Sequence, residues 1–165
     1  MTQRLDNETA ILTIAEVAEF DYDYLEGFNY NALPAGWKFL GNGVSRWAFL
    51  APDGWVYKFG ARYANDVEVE NSRRLYLEQD DTFRVPWVEH CGSYGHWTVV
   101  RCEYIMGQWL TEHDYYTHDD DDDFIIRPEW QGIHDHLRRY RLGDLHYENV
   151  CFVDGGVPAV IDLGW

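Results

Sequence analysis

The alternation of apolar and polar positions changes character several times along the chain. In "ETAILTIAEVAEF", Ile11, Leu12, Ile14, Ala15, Val17 and Ala18 recur at helical spacing, which predicts one packing helix with Asn7 or Thr9 as its cap. The next stretch, "DYDYLEGFNYNALPAG", mixes aromatic, acidic and turn-forming residues and predicts no element. From Trp37 the texture is β-type: "WKFLG", "RWAFLAP", "WVYKFG", "RVPWVEHCG" and "HWTVVRCEYI", separated by "NGVS", "PDG" and "SYG". Turn chemistry between such runs predicts about five antiparallel strands. Between the third and fourth lies "NDVEVENSRRLYLEQ", free of Gly and Pro, where Val67 and Leu75 and the acid and base pairs suit one helix.

After "MGQW" the chain turns polar and includes an unbroken aspartate run at 119–123. "RPEWQGIHDHLRRYRL" then predicts a helix with Pro128 in its first turn and Ile133 and Leu137 on one face. Two short strands, "VCFV" and "AVID", follow as a hairpin around "DGGVP". No internal repeat is present.

Composition narrows the class. A chain of 165 residues with 46% hydrophobic and 17% aromatic residues can bury a core, as one domain or as two small lobes. Twenty-nine acidic against thirteen basic residues give a net charge of −16, which argues against unaided binding to DNA, RNA or an anionic membrane. A basic protein or a cationic small molecule is the partner that charge favours, and imitation of DNA by an acidic inhibitor is the other use of so much acid. Cys91, Cys102 and Cys151 are odd in number, lack C-x-x-C spacing and sit in apolar runs, so buried free thiols and a cytoplasmic setting are expected. The acidic, interrupted opening "MTQRLDNETAILTIAEVAEF" predicts neither a signal peptide nor a membrane span.

Candidate chemistry concentrates in "RLGDLHYENVCFVDGGVPAVIDLGW". If residues 150 to 161 form a hairpin, Asn149 and Asp162 lie side by side at its open end, where an amide oxygen and a carboxylate can share a Mg²⁺. Asp144, nearby, is then left to orient or deprotonate a hydroxyl. For phosphates, "LGNGVSRWAF" places Gly41 and Gly43 between two strands, where backbone amides can approach an anion. Lys58 stands inside the apolar strand "WVYKF" and requires a partner, which the following helix offers in Glu68 or Glu70. The bland alternatives are a plain hairpin turn for Gly41 and Gly43, solvent-facing helix charges for Glu68 and Glu70, and a solvated loop for the aspartate run, whose sharper reading is an acidic lip for a cationic substrate. His134 and His136, two apart, point to different faces of a helix and do not make a metal pair.

Taken together, "GDLHYEN", "IDLG", the glycine turn, the strand lysine and the hinge-like "CEYIMG" resemble the protein-kinase-like superfamily, and within it the aminoglycoside and related small-molecule phosphotransferases. The resemblance covers roughly residues 37 to 165. It implies an α+β, two-lobe fold: an extension over 1–36, an N-lobe and hinge over 37–107 with a five-stranded antiparallel sheet and one helix, and a reduced C-lobe over 108–165. It implies ATP and Mg²⁺ as cofactors, Asp144 as catalytic base, Asn149 and Asp162 as metal ligands, and Lys58 as the phosphate-binding lysine. Glu68 is its implied partner, preferred to Glu70 because Leu75 falls seven residues later on the same helix face. His146 is implied to hold the loop in shape, and the backbone of Glu103, Tyr104 and Ile105 to receive adenine. Arg46 stands where the protein-kinase pattern has a third glycine and is left outside the core site.

Members of that branch continue beyond this point with further helices, whereas only Leu163, Gly164 and Trp165 follow Asp162. The expectation is therefore a nucleotide-binding half with a much reduced acceptor half. Three forms fit it: a minimal kinase transferring the γ-phosphoryl group to a hydroxyl, an inactive kinase-like acidic binding protein, or a shortened chain. The floor left bare would be covered by the helix over residues 9–20 or, in a homodimer, by a second copy.

Overall fold

A computed structural model describes residues 4–21, 24–43, 45–118, 124–142, 145–153 and 155–164. They divide into two units, Met1–Val69 with Val88–Tyr104 and Glu70–Trp87 with Ile105–Trp165. The protein is α+β.

The first unit opens with helix α1 (Asn7–Val17), then the hairpin β1 (Ala18–Asp21) and β2 (Tyr24–Phe28), and a turn of 3-10 helix at Tyr30–Ala32. Strands β3 (Lys38–Asn42), β4 (Arg46–Leu50) and β5 (Trp55–Ala61) follow, then helix α2 (Arg62–Glu78), whose residues up to Val69 belong here, and strands β6 (Val88–Tyr94) and β7 (Trp97–Glu103). The five strands β3 to β7 form one antiparallel sheet in the order β3-β4-β5-β7-β6. Period-two alternation gives this sheet two different faces. Phe49, Tyr57, Phe59 and Val99 point to one and pack with Ala10, Ile11, Ile14 and Val17 of α1 and Phe28 of β2. Rings meet there edge-on, with the Phe28 centroid 4.9 Å from Phe49 and 5.7 Å from Phe59. Val56, Val100 and Cys102 point to the other face and pack with Val69 of α2 and Val88. Both faces being covered, β5 and β7 are buried along almost their whole length.

Three local expectations are corrected. The cap of α1 is Asp6, whose carboxylate accepts the Thr9 N–H at 2.9 Å, while the Asn7 side chain instead accepts from Arg101 Nη1 at 3.0 Å. The helix expected through "ETAILTIAEVAEF" ends at Val17, since Ala18 to Phe20 begin strand β1, and the aromatic and acidic stretch that predicted no element holds the rest of the hairpin, including β2, which supplies Phe28 to the aromatic face.

The second unit takes the rest of α2, then β8 (Gln108–Trp109), α3 (Glu112–Tyr115), β9 (Tyr116–His118), β10 (Phe124–Ile126), α4 (Pro128–Arg138), β11 (Val150–Val153) and β12 (Val157–Val160). Strands β12, β11 and β8 form a three-stranded sheet, and β9 pairs with β10. Its core gathers Leu75 of α2, Phe83, Val85, Leu137 of α4, Leu142, Leu145, Val150, Val160 and Leu163. Arg84 is tied alongside β12 by two backbone bonds, its N–H to Pro158 O at 2.9 Å and its carbonyl to Val160 N at 3.0 Å. Gly107 lets β8 dock: a Cβ there would stand 2.7 Å from Cys151 Sγ and 2.8 Å from Phe152 O. The aspartate run at 119–123 lies outside the described residues. Among the described residues no helix is long and apolar enough to cross a membrane.

Candidate functional site

In the first unit the strand lysine and the helix glutamate meet. Lys58 of β5 is 6% exposed and donates from Nζ to Oε1 of Glu68, itself 0% exposed, at 2.5 Å. Glu70 is exposed. The second oxygen of Glu68, Oε2, accepts from Nη1 of Arg46, which is 7% exposed. One carboxylate thus serves two cations in a setting where an ion is stable only when paired and hydrogen-bonded.

The register of the sheet explains why Arg46 is there. Arg46 pairs with Gly60 across β4 and β5, and Ala48 pairs with Lys58, so Arg46 and Lys58 project from the same face. Gly60 makes room for it. A Cβ on Gly60 would lie 2.3 Å from Ser45 O, 2.7 Å from Arg46 Cγ and 2.8 Å from Arg46 Cα, far inside van der Waals contact. Gly41 belongs to β3 beside a register shift between Phe39 and Gly41, and Gly43 closes the turn by donating its N–H to Arg46 O at 2.9 Å. Glu103 ends β7, Tyr104 follows as the last residue of the first unit, and Ile105 begins the second.

In the second unit Asn149 and Asp162 bracket the β11–β12 hairpin. The strands pair from Val150 with Val160 to Val153 with Val157, and one step beyond, Ile161 N donates to Asn149 O at 3.0 Å. Asn149, 8% exposed, sits at the end of a turn in which its N–H donates to His146 O at 2.9 Å. Its Nδ2 lies 2.9 Å from His146 Nε2. The other ring nitrogen, Nδ1, lies 3.8 Å from the Glu148 carboxylate. Nδ1 accepts the Glu148 N–H at 3.3 Å. Asp162 is half-buried and accepts the Gly164 N–H on Oδ1 at 3.1 Å. An amide oxygen and a carboxylate on adjacent strand ends are hard donors of the kind Mg²⁺ takes in small number, so the residues present fit that ion. Among the described residues no three His, Cys, Asp or Glu side chains gather as a metal cluster. Asp144, the expected base, lies outside the described residues.

A neighbouring polar cluster escaped the sequence reading. Tyr115, 2% exposed, donates its hydroxyl to Leu145 O at 3.1 Å and also contacts His134 Nε2. With the tyrosine proton spent on the carbonyl, His134 is the donor in that second contact. Among the described residues its Nδ1 is buried without a hydrogen-bond partner. Burial first, and the charge of Arg138 second, hold the His134 imidazole below its ordinary value, with Asp135 opposing. His136 instead meets Thr82 Oγ1 at 2.7 Å, so the two histidines serve separate structural bonds. None of the three cysteines forms a disulfide, and burial pushes Cys91 and Cys151 up to about 11.

No protein-family model matches the sequence, and no curated protein matches it. Solved structures do. The chain is similar to the GDP and kanamycin complex of APH(2")-IIia, at 15% identity and a TM-score of 0.49 over 79% of this chain and 67% of that one. It is also similar to a putative fructosamine-3-kinase from Haemophilus somnus 129PT, at 13% identity and 0.47 over 94% and 71%. A third likeness is to the gentamicin complex of APH(2")-IIa, at 13% identity and 0.46 over 79% and 65%. The chain therefore spans about two thirds of the length of the structures it resembles, between 65% and 71%.

Proposed function

We propose that the protein binds a nucleoside triphosphate with Mg²⁺ and acts as a kinase-like phosphotransferase. The observation that carries this reading is the burial of Lys58 and Arg46 on the shared carboxylate of Glu68, beside the glycine turn that ends at Arg46. Such burial costs free energy that packing alone does not require, and a site for polyphosphate gives it a use. In this reading Lys58 meets phosphate oxygens, and the backbone from Glu103 to Ile105 receives adenine. Asn149 and Asp162 supply oxygens to Mg²⁺, and His146 orients Asn149. The metal's contribution is neutralisation of charge on the phosphates. In the transfer, a hydroxyl oxygen of the acceptor bonds to the γ-phosphorus, the bond from that phosphorus to the β–γ bridging oxygen breaks, the hydroxyl proton passes to Asp144, and the nucleoside diphosphate leaves. The net charge of −16 supports a cationic small molecule or a basic protein as acceptor.

The same charge favours a second reading, an inactive kinase-like binding protein that acts on a basic partner as an inhibitor or DNA mimic. One experiment separates the two. ATP with Mg²⁺ is titrated by thermal shift and calorimetry into wild type, Lys58→Ala and Asp162→Asn. Ligand at 100 times its Kd stabilises the folded state by about 2.7 kcal/mol, which a thermal scan resolves. Metal-dependent stabilisation that is lost in both folded variants is the expected result. A folded wild type that binds no nucleotide would overturn the phosphotransferase reading and leave the acidic binding protein.

A further inference from the structure

We propose that Arg46 is a positioning residue of the nucleotide site, acting through Glu68 on Lys58, and that Gly60 exists to let it do so; as a statement about nucleotide binding this rests on the reading above. Three independent features converge on it. Glu68 is fully buried and has one oxygen on each cation, so the carboxylate cannot rotate about its bond to Lys58 while Arg46 holds the other side. Arg46 reaches Glu68 only because β4 passes over a residue without a side chain, since a Cβ on Gly60 would collide with the Arg46 Cα and Cγ. Finally, the Arg46 carbonyl receives the Gly43 N–H and the neighbouring Ser45 carbonyl receives the Ala61 N–H at 3.0 Å, so backbone bonds fix both ends of the turn from which the arginine departs.

The chemistry favours arginine over lysine at position 46. A planar guanidinium presents donors in a fixed fork, so it sets the plane of the carboxylate it grips, whereas an ammonium is a point charge that sets only a distance. A carboxylate fixed in its plane fixes in turn the direction from which Lys58 is held. Arg46 thereby converts a flexible four-carbon side chain into a group with one position, and the benefit falls on ligands that carry phosphate.

The chain contains two lysines, Lys38 and Lys58, which makes the test direct. Lys38 is exposed and serves as an internal reference. Reductive methylation with ¹³C-formaldehyde, without nucleotide, is followed by NMR for wild type, Arg46→Met, Arg46→Lys and Gly60→Ala, with circular dichroism confirming that each is folded. The methylation rate of Lys58 relative to Lys38 is expected to rise several-fold in Arg46→Met and Gly60→Ala, and Arg46→Lys is expected not to restore it. With nucleotide, affinity for ATP is expected to fall about tenfold in the same two variants while adenosine binding holds within twofold. A merely structural arginine would weaken both ligands together or neither. A wild-type Lys58 rate in folded Arg46→Met overturns the proposal. If wild type binds no ATP at all, the phosphotransferase reading falls, and the methylation ratio still decides whether Arg46 positions Lys58.

Discussion

The two units hold their candidate residues by opposite means. In the first, Lys58, Glu68 and Arg46 are ions taken out of water and kept there by one another, on side chains that approach from three elements, β4, β5 and α2. In the second, Asn149 is neutral and sits where the backbone puts it, between a turn bond to His146 and a hairpin bond to Ile161. The first arrangement depends on charge pairing and therefore fails abruptly when one member is removed. The second depends on many ordinary hydrogen bonds and degrades gradually. Direction for a side chain can thus come from counter-ions or from backbone geometry, and only the first carries a large penalty for error.

The largest effect expected from this contrast is at Glu68. Glu68→Gln removes the carboxylate that two buried cations share, and breaking a buried pair from one side costs about 3–5 kcal/mol. Asn149→Ala removes the side-chain contact to His146 while the backbone bonds remain, and should cost about 1 kcal/mol. Urea denaturation of both variants against wild type measures the difference. Equal losses would show that the two centres are held in the same way after all.

Close packing gives the next effect. Gly60→Ala and Gly107→Ala each place a methyl group under 3 Å from neighbouring atoms, against Ser45 and Arg46 in one unit and Cys151 and Phe152 in the other. Overpacking of this kind costs about 1–3 kcal/mol at either site. Only the first should also release Lys58, because only Gly60 lies beneath a residue that holds the carboxylate. Loss of stability without a change in Lys58 reactivity in Gly60→Ala would reduce that glycine to a packing role.

How much of this was legible in the sequence follows the same division. Strands β3 to β7 were visible because alternation over five to seven residues, bounded by turn formers, is a signal that depends on the chain alone. Strand β2 was invisible because "DYDYLEGFNYNALPAG" has no alternation, and β1 was hidden because Ala18 to Phe20 continue the helical spacing of the α1 segment; the order of this hairpin comes from covering an aromatic face built elsewhere. Two-residue β8 is too short to carry any period, and exists because Gly107 permits contact with β11. Motif spacing brought Lys58 and Glu68 into consideration as a pair. It left out Arg46, because comparison with a glycine pattern asked what was missing at that position. The pairing register around the Pro52–Gly54 turn would have placed Arg46 on the Lys58 face, so the signal was present in the strand alternation rather than in the motif. Tyr115 and His134, nineteen residues apart, carry no local signal, since their meeting is a product of how α3 and α4 pack.

The smallest effects concern acid, and they separate the units by pH. In the second unit, burial keeps His134 neutral below the ordinary imidazole value of 6.5, so the unfolded chain binds the proton more readily than the folded one. Stability from this group is complete above pH 6.5 and is lost as pH falls below it, toward the lower folded value. In the first unit, burial alone would raise the Glu89 carboxyl, but bonds and charge from Arg101 and then Arg4 outweigh it and hold it below the usual 4.5. That contribution is present above pH 4.5 and is lost as pH falls through the depressed folded value. Glu89 is partly exposed, so screening limits it to less than about 1 kcal/mol. Urea midpoints taken from pH 7 downward should therefore fall in two stages. His134→Gln should flatten the stage that begins near 6.5, and Glu89→Gln the one below 4.5. A first stage that survives His134→Gln would mean that another group, outside the Tyr115 cluster, takes up the proton.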